Sequence, residues 1–319
     1  MTYIIAEIGN NHDGNANRLE HLIEAAADAG ADAVKFQIFD PDTLVTRDAP
    51  AMVGEGTQID RLRRLYIPMC DYRDLSGYAR QLGLQVVVTF LDVDLLQDGW
   101  RIADRLKIAS GDITHIELIQ AANQTGLPVI VSTGVARDLE IQEALTHLTP
   151  GRVTLLHCVS LYPCPIQDAS LGRMQWLRDE HCSHVGYSDH CHGIEACVAA
   201  AAMGAEVIEK HFTDASRGAL DEDYHEPVGD HVHSATPYQM REMVSRIRQV
   251  EQMVKSCYTA PLEVRKRMMR GAYAAADIAR NTTIGMGDMV ALRPCEGRTP
   301  WQLRGSRAQR DFTIGEAIR

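Results

Sequence analysis

Two histidines each stand at the end of an apolar run, where they could serve as metal ligands. His190 closes the run VGYSDH, and His211 lies near the end of AEVIEKHF. Both runs are typical of short buried strands, and the helix-like stretch GIEACVAAAAMG separates them. Two imidazoles at the ends of consecutive parallel strands could share one divalent metal ion. A buried histidine alone is more often a satisfied core residue, so the surrounding residues decide between these interpretations.

Eight apolar runs rich in β-branched residues alternate with amphipathic stretches over the first two thirds of the chain. The runs cover residues 3–9, 32–37, 85–90, 106–110, 128–133, 153–158, 184–188 and 205–212. Near-continuous apolar strands, each followed by a helix, predict an α/β fold of the parallel (β/α)8, or TIM barrel, type. A doubly wound open sheet is the alternative, but its GxGxxG nucleotide turn is absent from the sequence.

Two segments depart from this alternation. Residues 38–68 form a long connection after the second strand, a length typical of lids and binding loops. After the last barrel strand and a long closing helix, the segment from Arg267 to Arg319 contains short strands and turns. We therefore predict a catalytic barrel over residues 1–258 and a small β-rich domain over residues 267–319.

Composition excludes several classes of function. The 319 residues carry a formal net charge of -11, which argues against nucleic acid and anionic membranes as partners. No apolar run approaches the roughly 18 residues that span a bilayer, and the N-terminus lacks the basic region of a signal peptide. The eight cysteines form no CxxC pair. This usage is typical of reduced thiols in a cytoplasmic protein.

Polar side chains follow the predicted strands where an α/β barrel gathers its reactive groups, at the carboxyl ends. These include Glu7, Lys35, Gln37, Thr89, Lys107, Ser110, Ser132, Ser160 and Ser188. Strand alternation places Lys35 and Gln37 on one face. The same rule places Glu209 with His211 and points Lys210 away from them.

The two lysines leave three interpretations open. They could be phosphate clamps, one could form a Schiff base, or both could belong to buried ion pairs. The hydroxyl groups at neighbouring strand ends could complete an anion cradle together with backbone N–H groups. Taken together, these residues predict a phosphate site beside a metal site.

Seven motifs in order and spacing resemble the sialic acid synthase family. They are IIAEIGNNHDGN, AGADAVKFQIF, KIASGDI, PVIVSTG, LLHCVSLYPCP, GYSDHCHGI and GAEVIEKHFT. That family condenses phosphoenolpyruvate with sugars to make nonulosonic acids such as N-acetylneuraminate, legionaminate and pseudaminate. The C-terminal segment is similar to the antifreeze-like (SAF) domain of the same family.

The resemblance implies a role for each matching residue. His190 and His211 match the ligands of a catalytic divalent metal, usually Mn²⁺, with Mg²⁺ or Co²⁺ as alternatives. Glu7 matches a carboxylate beside the metal that handles the attacking water, and Lys35 and Lys107 match catalytic cations. The phosphoenolpyruvate cradle would comprise Lys35, Thr89, Lys107, Ser110, Ser132, Ser160 and Ser188.

The sugar side and the quaternary structure also follow from the resemblance. Gln37, Asp112 and Tyr162 match positions that face the open-chain sugar. Arg293 matches an arginine that the antifreeze-like domain of one subunit inserts into the site of the other. The resemblance therefore implies a domain-swapped homodimer.

Three departures from the family pattern lie on the sugar side. An insertion at about residues 214–229 precedes GDHVHS. Asp230 of GDHVHS is the best match to a sugar-binding aspartate of the family, and Asp221, within the insertion, could take that role instead. The loop after strand two lacks a clear match to a substrate-contacting asparagine, and Asp112 stands where glutamate is common. We therefore expect an acceptor sugar other than N-acetylmannosamine.

Three other functions compete with this interpretation. A Schiff-base pyruvate aldolase would use Lys35 or Lys107 and ignore chelators. A non-catalytic sugar-binding barrel would not need its metal and phosphate positions filled by competent residues. Related condensing enzymes for eight-carbon or aromatic-pathway keto acids share the barrel but not the appended domain.

Overall fold

Eight parallel strands close into one barrel, each strand pairing with its neighbours in chain order. The computed structural model describes residues 1–50, 56–181, 184–214, 230–255 and 257–319. The strands are β1 (Tyr3–Gly9), β2 (Ala33–Ile38), β3 (Gln85–Phe90), β4 (Arg105–Ile108), β5 (Val129–Ser132), β6 (Val153–His157), β7 (His184–Asp189) and β8 (Val207–His211). The pairing of β1 with β8 closes the sheet. The predicted TIM barrel is confirmed, and each strand end lies within two residues of its expected position.

Helices cover the outside of the barrel because their apolar residues recur on one face. The first unit contains α1 (Ala16–Asp28), α2 (Pro41–Leu44), α3 (Gln58–Leu65), α4 (Met69–Gln81), α5 (Val93–Gly99), α6 (Ile116–Gln124), α7 (Asp138–Thr146), α8 (Gly172–His181), α9 (Glu195–Ala202) and α10 (Pro237–Lys255). Helix α1 buries Leu19, Leu22, Ile23 and Ala26, a spacing that follows the helical period. The Asn15 side chain caps its first turn by accepting two backbone N–H groups.

The long connection after β2 contains the helices α2 and α3. Residues 51–55 of this connection lie outside the described residues. Thr57 begins α3 by accepting a hydrogen bond from the backbone N–H of Asp60. Four side chains of α3 line the cavity described below, so this connection supplies one wall of the site.

An apolar layer fills the barrel interior below the strand ends. It consists of Ile5, Ala33, Val87, Ile130, Leu156 and Val207, from six of the strands. Side chains two residues apart on a strand point to the same face. The next inward positions on these strands are therefore Glu7, Lys35, Thr89, Ser132, Cys158 and Glu209. The apolar layer thus supports a polar layer at the carboxyl ends.

The C-terminal residues form a second compact unit. The chain divides into Met1–Lys255 and Ser256–Arg319. The second unit contains α11 (Leu262–Met268), α12 (Pro300–Leu303), and an antiparallel pair made by β9 (Gly271–Ala274) and β10 (Met289–Leu292). Its own apolar core consists of Ala272, Ala274, Ile278, Ile284, Met289, Leu303, Ala308, Phe312 and Ile318. Across the described ranges, no helix combines the length and the apolar character needed to cross a membrane.

Candidate active site

A cavity of about 520 Å³ opens at the carboxyl ends of the barrel strands and is lined by most of the residues singled out from the sequence. Those lining it are Glu7, Lys35, Gln37, Lys107, Ser110, Ser132, Tyr162, Ser188, His190, His211 and Asp230. Further lining comes from α3, through Gln58, Arg61, Leu62 and Leu65. The barrel thus collects side chains that lie up to about 220 residues apart in the chain.

Other predicted residues lie outside the lining of this cavity. Thr89 is buried beside Gln37 in the register of β2 and β3. Ser160 has its Oγ atom 3.4 Å from that of Ser110, and Asp112 ends the turn that begins at Ser110. Asp221 falls in residues 215–229, outside the described part of the chain.

Arg293 belongs to the second unit. Its side chain is exposed, and its Nε atom donates a hydrogen bond to the backbone oxygen of Met268 at 2.7 Å. The side chain of Arg293 therefore makes this hydrogen bond to a residue of its own unit.

Lys35 contacts two buried carboxylates from different strands. Its Nζ atom lies 3.2 Å from Oε2 of Glu7 and 3.3 Å from Oε2 of Glu209. Oε1 of Glu209 lies 3.8 Å from Nζ of Lys107 and accepts a hydrogen bond from Ser188. The two lysines are thereby linked through Glu209. Sequence reasoning placed Glu209 on the correct face but assigned it no role.

The two carboxylates have very different proton affinities. Burial raises the pKa of Glu7 to about 7, against the opposing charge of Lys35. Burial also opposes the charge of Glu209, but Lys107 and Lys35 outweigh it and lower its pKa to about 2. Two carboxyl groups with separated pKa values are the usual arrangement of a proton carrier beside a fixed anion. Of these two carboxyl groups, Glu7 is the one that can exchange a proton near neutral pH.

The lysines are also affected differently by their surroundings. Burial opposes the charge of Lys35, but Glu209 and Glu7 outweigh it and raise its pKa. At Lys107, burial dominates and lowers the pKa, and the nearby charge of Lys35 acts in the same direction. Lys35 is thus held as a cation, whereas Lys107 gives up its proton more readily than an exposed lysine.

His190 and His211 lie side by side, with ring centroids 5.5 Å apart. Nδ1 of His190 lies 2.7 Å from the backbone oxygen of Val159, to which its N–H donates a hydrogen bond. That bond leaves the lone pair on Nε2, as at metal sites where a second contact orients the ligand. Burial lowers the pKa of both histidines, so both are neutral near pH 7, the form that binds metals.

A third histidine, missed from the sequence, lies beside this pair. The ring centroid of His233 is 4.7 Å from that of His211 and 6.0 Å from that of His190. The signal for it is in GDHVHS, which carries two histidines separated by one residue. As the side chains stand, no three His, Cys, Asp or Glu groups within the described ranges are arranged to hold a metal ion.

Asp230 and Tyr162 lie next to the histidines. Oδ2 of Asp230 is 3.5 Å from Nδ1 of His211, and burial raises the pKa of this carboxyl. The ring of Tyr162 stacks at 4.2 Å from that of His190. The sugar-side candidates Asp230 and Tyr162 therefore adjoin the histidines rather than the lysines.

A buried ion pair lies behind the histidines, on the other face of the strands. Nζ of Lys210 donates to Oδ2 of Asp189 at 2.8 Å, and both side chains are fully buried. The hydroxyl group of Tyr187 donates to the other oxygen of Asp189. The residues of this pair immediately precede His190 and His211, so the pair holds the ends of β7 and β8 together.

The family model and the similar proteins found by comparison point to the same family of sugar-acid synthases. The NeuB family model matches residues 22–258. The chain is 35% identical to an N,N'-diacetyllegionaminic acid synthase of Legionella pneumophila, over 99% of this chain and 93% of that protein. It is 30% identical to a pseudaminic acid synthase of Helicobacter pylori, over 93% of this chain and 89% of that protein.

A solved structure is similar to the chain in both fold and sequence. It is an N-acetylneuraminic acid synthetase from Leptospira borgpetersenii serovar Hardjo-bovis in complex with citrate, with 32% identity and a TM-score of 0.71. The match covers 82% of this chain and 87% of that one.

Proposed function

Because the chain is an enzyme of the NeuB family, we propose that it condenses phosphoenolpyruvate with an open-chain aldose. The products would be a nonulosonate-type 2-keto-3-deoxy sugar acid and inorganic phosphate. Relatives named for legionaminic, pseudaminic and N-acetylneuraminic acids support this class of product. The observation that carries the proposal is that two lysines, an ionisable carboxyl group and two adjacent histidines line one and the same cavity.

Phosphoenolpyruvate would bind on the lysine side of the cavity. Lys35 and Lys107 offer cationic groups, and Ser110, Ser132 and Ser188 bring hydroxyl groups to the same wall. Oγ of Ser132 is buried in the cavity wall beside Cys158, where an anion could accept a hydrogen bond from it. The resemblance adds Thr89 and Ser160 to this cradle.

A divalent metal ion, Mn²⁺ or alternatively Mg²⁺ or Co²⁺, would bind at His190 and His211. The residues suit such an ion because both imidazoles are buried, neutral and adjacent. When bound, the metal would supply Lewis-acid activation of the acceptor's carbonyl group.

Glu7 would act as the base that accepts a proton from the water molecule consumed in the reaction. The electron pair of the C2–C3 double bond of phosphoenolpyruvate forms a bond from C3 to the carbonyl carbon of the acceptor. The C=O double bond becomes a single bond, its oxygen takes up a proton to become a hydroxyl group, and water adds at C2. Glu7 accepts the proton from that water, and cleavage of the C2–O bond releases phosphate. The hydrogen bond from Gln37 to Glu7, at 2.6 Å, orients the carboxylate, and Lys35 balances the charge.

The acceptor would occupy the histidine side, between the barrel and α3. Gln37, Tyr162 and Asp230 line this part of the cavity, and α3 adds Arg61 to the lining. The resemblance adds Asp112, which ends the neighbouring turn. Since the α3 wall and the segment before Asp230 differ from the family pattern, we propose that the acceptor is not N-acetylmannosamine.

The resemblance of residues 267–319 to an antifreeze-like domain extends the proposal to quaternary structure. We propose a cytoplasmic, domain-swapped homodimer in which Arg293 serves the site of the other subunit. Analytical ultracentrifugation would test the dimer. Mixing Arg293→Ala with His190→Ala enzyme would test the exchange, because mixed dimers would regain one complete site only if Arg293 acts across subunits.

The decisive experiment measures phosphate release from phosphoenolpyruvate with and without Mn²⁺ across a panel of aldoses, with mass spectrometry of the products. We expect metal-dependent release with an acetamido-aldose other than N-acetylmannosamine. Absence of release with every aldose would exclude the synthase proposal. N-acetylmannosamine as the best acceptor would contradict only the proposed specificity.

One observation favours a second candidate, a Schiff-base pyruvate aldolase. The lowered pKa of Lys107 suits an amine nucleophile, which must be unprotonated to attack a carbonyl group. Borohydride would then trap pyruvate on Lys107, and EDTA would have no effect on turnover. We expect no trapping, since Glu209 lies 3.8 Å from this amine and favours its charged form.

A further inference from the structure

We propose that His233 is a third protein ligand of the divalent metal ion, so that three imidazoles from one chain hold one face of the ion. The inference rests on the metal site of the proposed function and adds a ligand to it. His233 lies beyond the barrel strands, at the end of the short turn His231–His233 that follows Asp230. The three histidines thus come from the ends of β7 and β8 and from the segment that returns to β8.

The ring positions are close to those of a three-imidazole site. With a metal–nitrogen distance of about 2.1 Å, ring centroids lie roughly 4.6 to 5.3 Å apart for ligand angles of about 90° to 110°. His211 and His233, at 4.7 Å, already fall within this range. The two distances from His190, 5.5 and 6.0 Å, exceed it by less than 1 Å. Small rotations of side chains, which are common on ligand binding, would close the gap.

The Nε2 atom of His233 lacks a partner that would otherwise explain its burial. The residue is 4% exposed, and Nε2 has no hydrogen-bond partner within the described ranges. Buried polar atoms are nearly always paired, so the unpaired Nε2 of His233, next to two other buried imidazoles, indicates an absent ligand. A cation bound among the three rings would satisfy it.

Backbone contacts hold His233 in place next to β8. The backbone N–H of Ala235 donates to the oxygen of His211 at 2.7 Å, and that of Thr213 donates to Ala235 at 3.0 Å. The Asn11 side chain accepts from the N–H of Asp230 at 2.8 Å and donates to Ser234. These contacts bracket His233 on both sides, which is the support that a preorganised ligand needs.

The neighbouring His231 provides an internal contrast. It lies in the same turn and is equally buried, but its Nδ1 contacts the hydroxyl group of Thr213 at 2.7 Å. Its Nε2 lies 3.2 Å from Oδ1 of Asp13. Both nitrogens of His231 are therefore engaged by the protein, whereas Nε2 of His233 has no hydrogen-bond partner among the described residues and its ring packs against those of His211 and His190.

Catalytic zinc sites usually have three protein ligands, with the remaining positions open to substrate and water. Three imidazoles would give the ion of this site the same arrangement. A third imidazole raises affinity for the ion without supplying a charge. We therefore expect this chain to retain its metal through dialysis better than a two-histidine site would.

The test is metal binding to the full-length protein, measured by isothermal titration with Mn²⁺ and by Co²⁺ absorption and X-ray absorption spectra. His233→Ala should weaken binding by about 100-fold or more, because losing even a contact that only orients a ligand costs 10- to 100-fold. The imidazole count around Co²⁺ should fall from three to two. His233→Asp should recover part of the affinity, because Mn²⁺ accepts carboxylate ligands. His231→Asn is the matched control and should bind as the wild type does.

The possible outcomes separate this inference from the proposed function. If His190→Ala and His211→Ala lose the metal while His233→Ala keeps wild-type affinity and two imidazoles surround Co²⁺, the third-ligand inference is overturned and the two-histidine site stands. If the wild type binds neither ion, both proposals fail. Thermal unfolding of each metal-free variant shows whether it is folded, and His233→Gln, which keeps a polar side chain, substitutes if the alanine variant is not.

Discussion

Glu7 and His211 lie opposite each other in the register of the strand pair that closes the barrel. They are 204 positions apart in the sequence, and the closure alone makes them neighbours. A carboxyl group that exchanges a proton near pH 7 thus adjoins a predicted metal ligand. The water that Glu7 would deprotonate and the carbonyl group that the metal would activate belong to one cavity because of this pairing.

Replacing His190 or His211 by alanine should abolish metal binding and turnover together, because either replacement removes one of the few imidazoles proposed to hold the metal ion. The loss of phosphate release from phosphoenolpyruvate should be at least about 100-fold at saturating Mn²⁺. His184→Ala is a suitable control because His184 is exposed at the opposite end of the same strand, β7. Substantial Mn²⁺-dependent activity in both variants would contradict the assignment.

The pH profile should report the raised pKa of Glu7. As pH falls through about 7, Glu7 takes up a proton and can no longer accept one from water, so kcat/KM should decline on the acid side. Glu7→Gln should lower kcat by about 100- to 10,000-fold and remove this limb of the profile. Glu206→Gln alters an exposed carboxyl group before β8 and should leave the profile unchanged. An acid limb that persists in Glu7→Gln would assign the titration to another group.

The Lys210–Asp189 pair should be required for stability rather than for chemistry. Lys210→Met leaves the carboxylate of Asp189 buried without its counter-charge and should lower the free energy of unfolding by about 3–5 kcal/mol. Adding Asp189→Asn removes the buried charge, so the double variant should be more stable than the sum of the single effects predicts. Urea unfolding of all four proteins gives the coupling. Strict additivity would show that the two groups do not interact.

Ser132 should contribute to phosphoenolpyruvate binding through its buried hydroxyl group, which lines the cavity. A hydrogen bond to a charged group is worth about 1.5–3 kcal/mol, so Ser132→Ala should raise KM for phosphoenolpyruvate by roughly 10- to 150-fold. Thr133→Val is the matched control, because the neighbouring hydroxyl group donates to the backbone oxygen of Leu156 instead. An unchanged KM in Ser132→Ala would place the phosphate elsewhere in the cavity.

Much of the site could be predicted because strand alternation is a local property. Lys35 with Gln37, and Glu209 with His211, were placed on shared faces from spacing alone, and these residues line one cavity. Alternation does not determine depth along the barrel, which depends on the stagger between strands. Thr89 was therefore assigned to the correct end of β3, yet it lies outside the cavity lining, next to Gln37 in register.

His233 shows where local reasoning ends. It follows a segment with no apolar periodicity, residues 215–229, so nothing in the sequence relates its position to the barrel. The structure brings it beside His211 through the backbone contacts between Ala235 and the end of β8. The contacts of Lys35 with Glu7 and Glu209 likewise join three strands that are distant in sequence.

The sequence by itself determined the strands, the barrel class and the face on which each reactive residue lies, because these depend on patterns within a few neighbouring residues. Only the tertiary structure decided which of those residues meet, and therefore which carboxyl group holds a proton and which imidazoles adjoin. A pKa and a ligand set depend on distances of a few ångströms between chain-distant atoms. Those distances exist only once β1 has paired with β8 and the returning segment has packed against them.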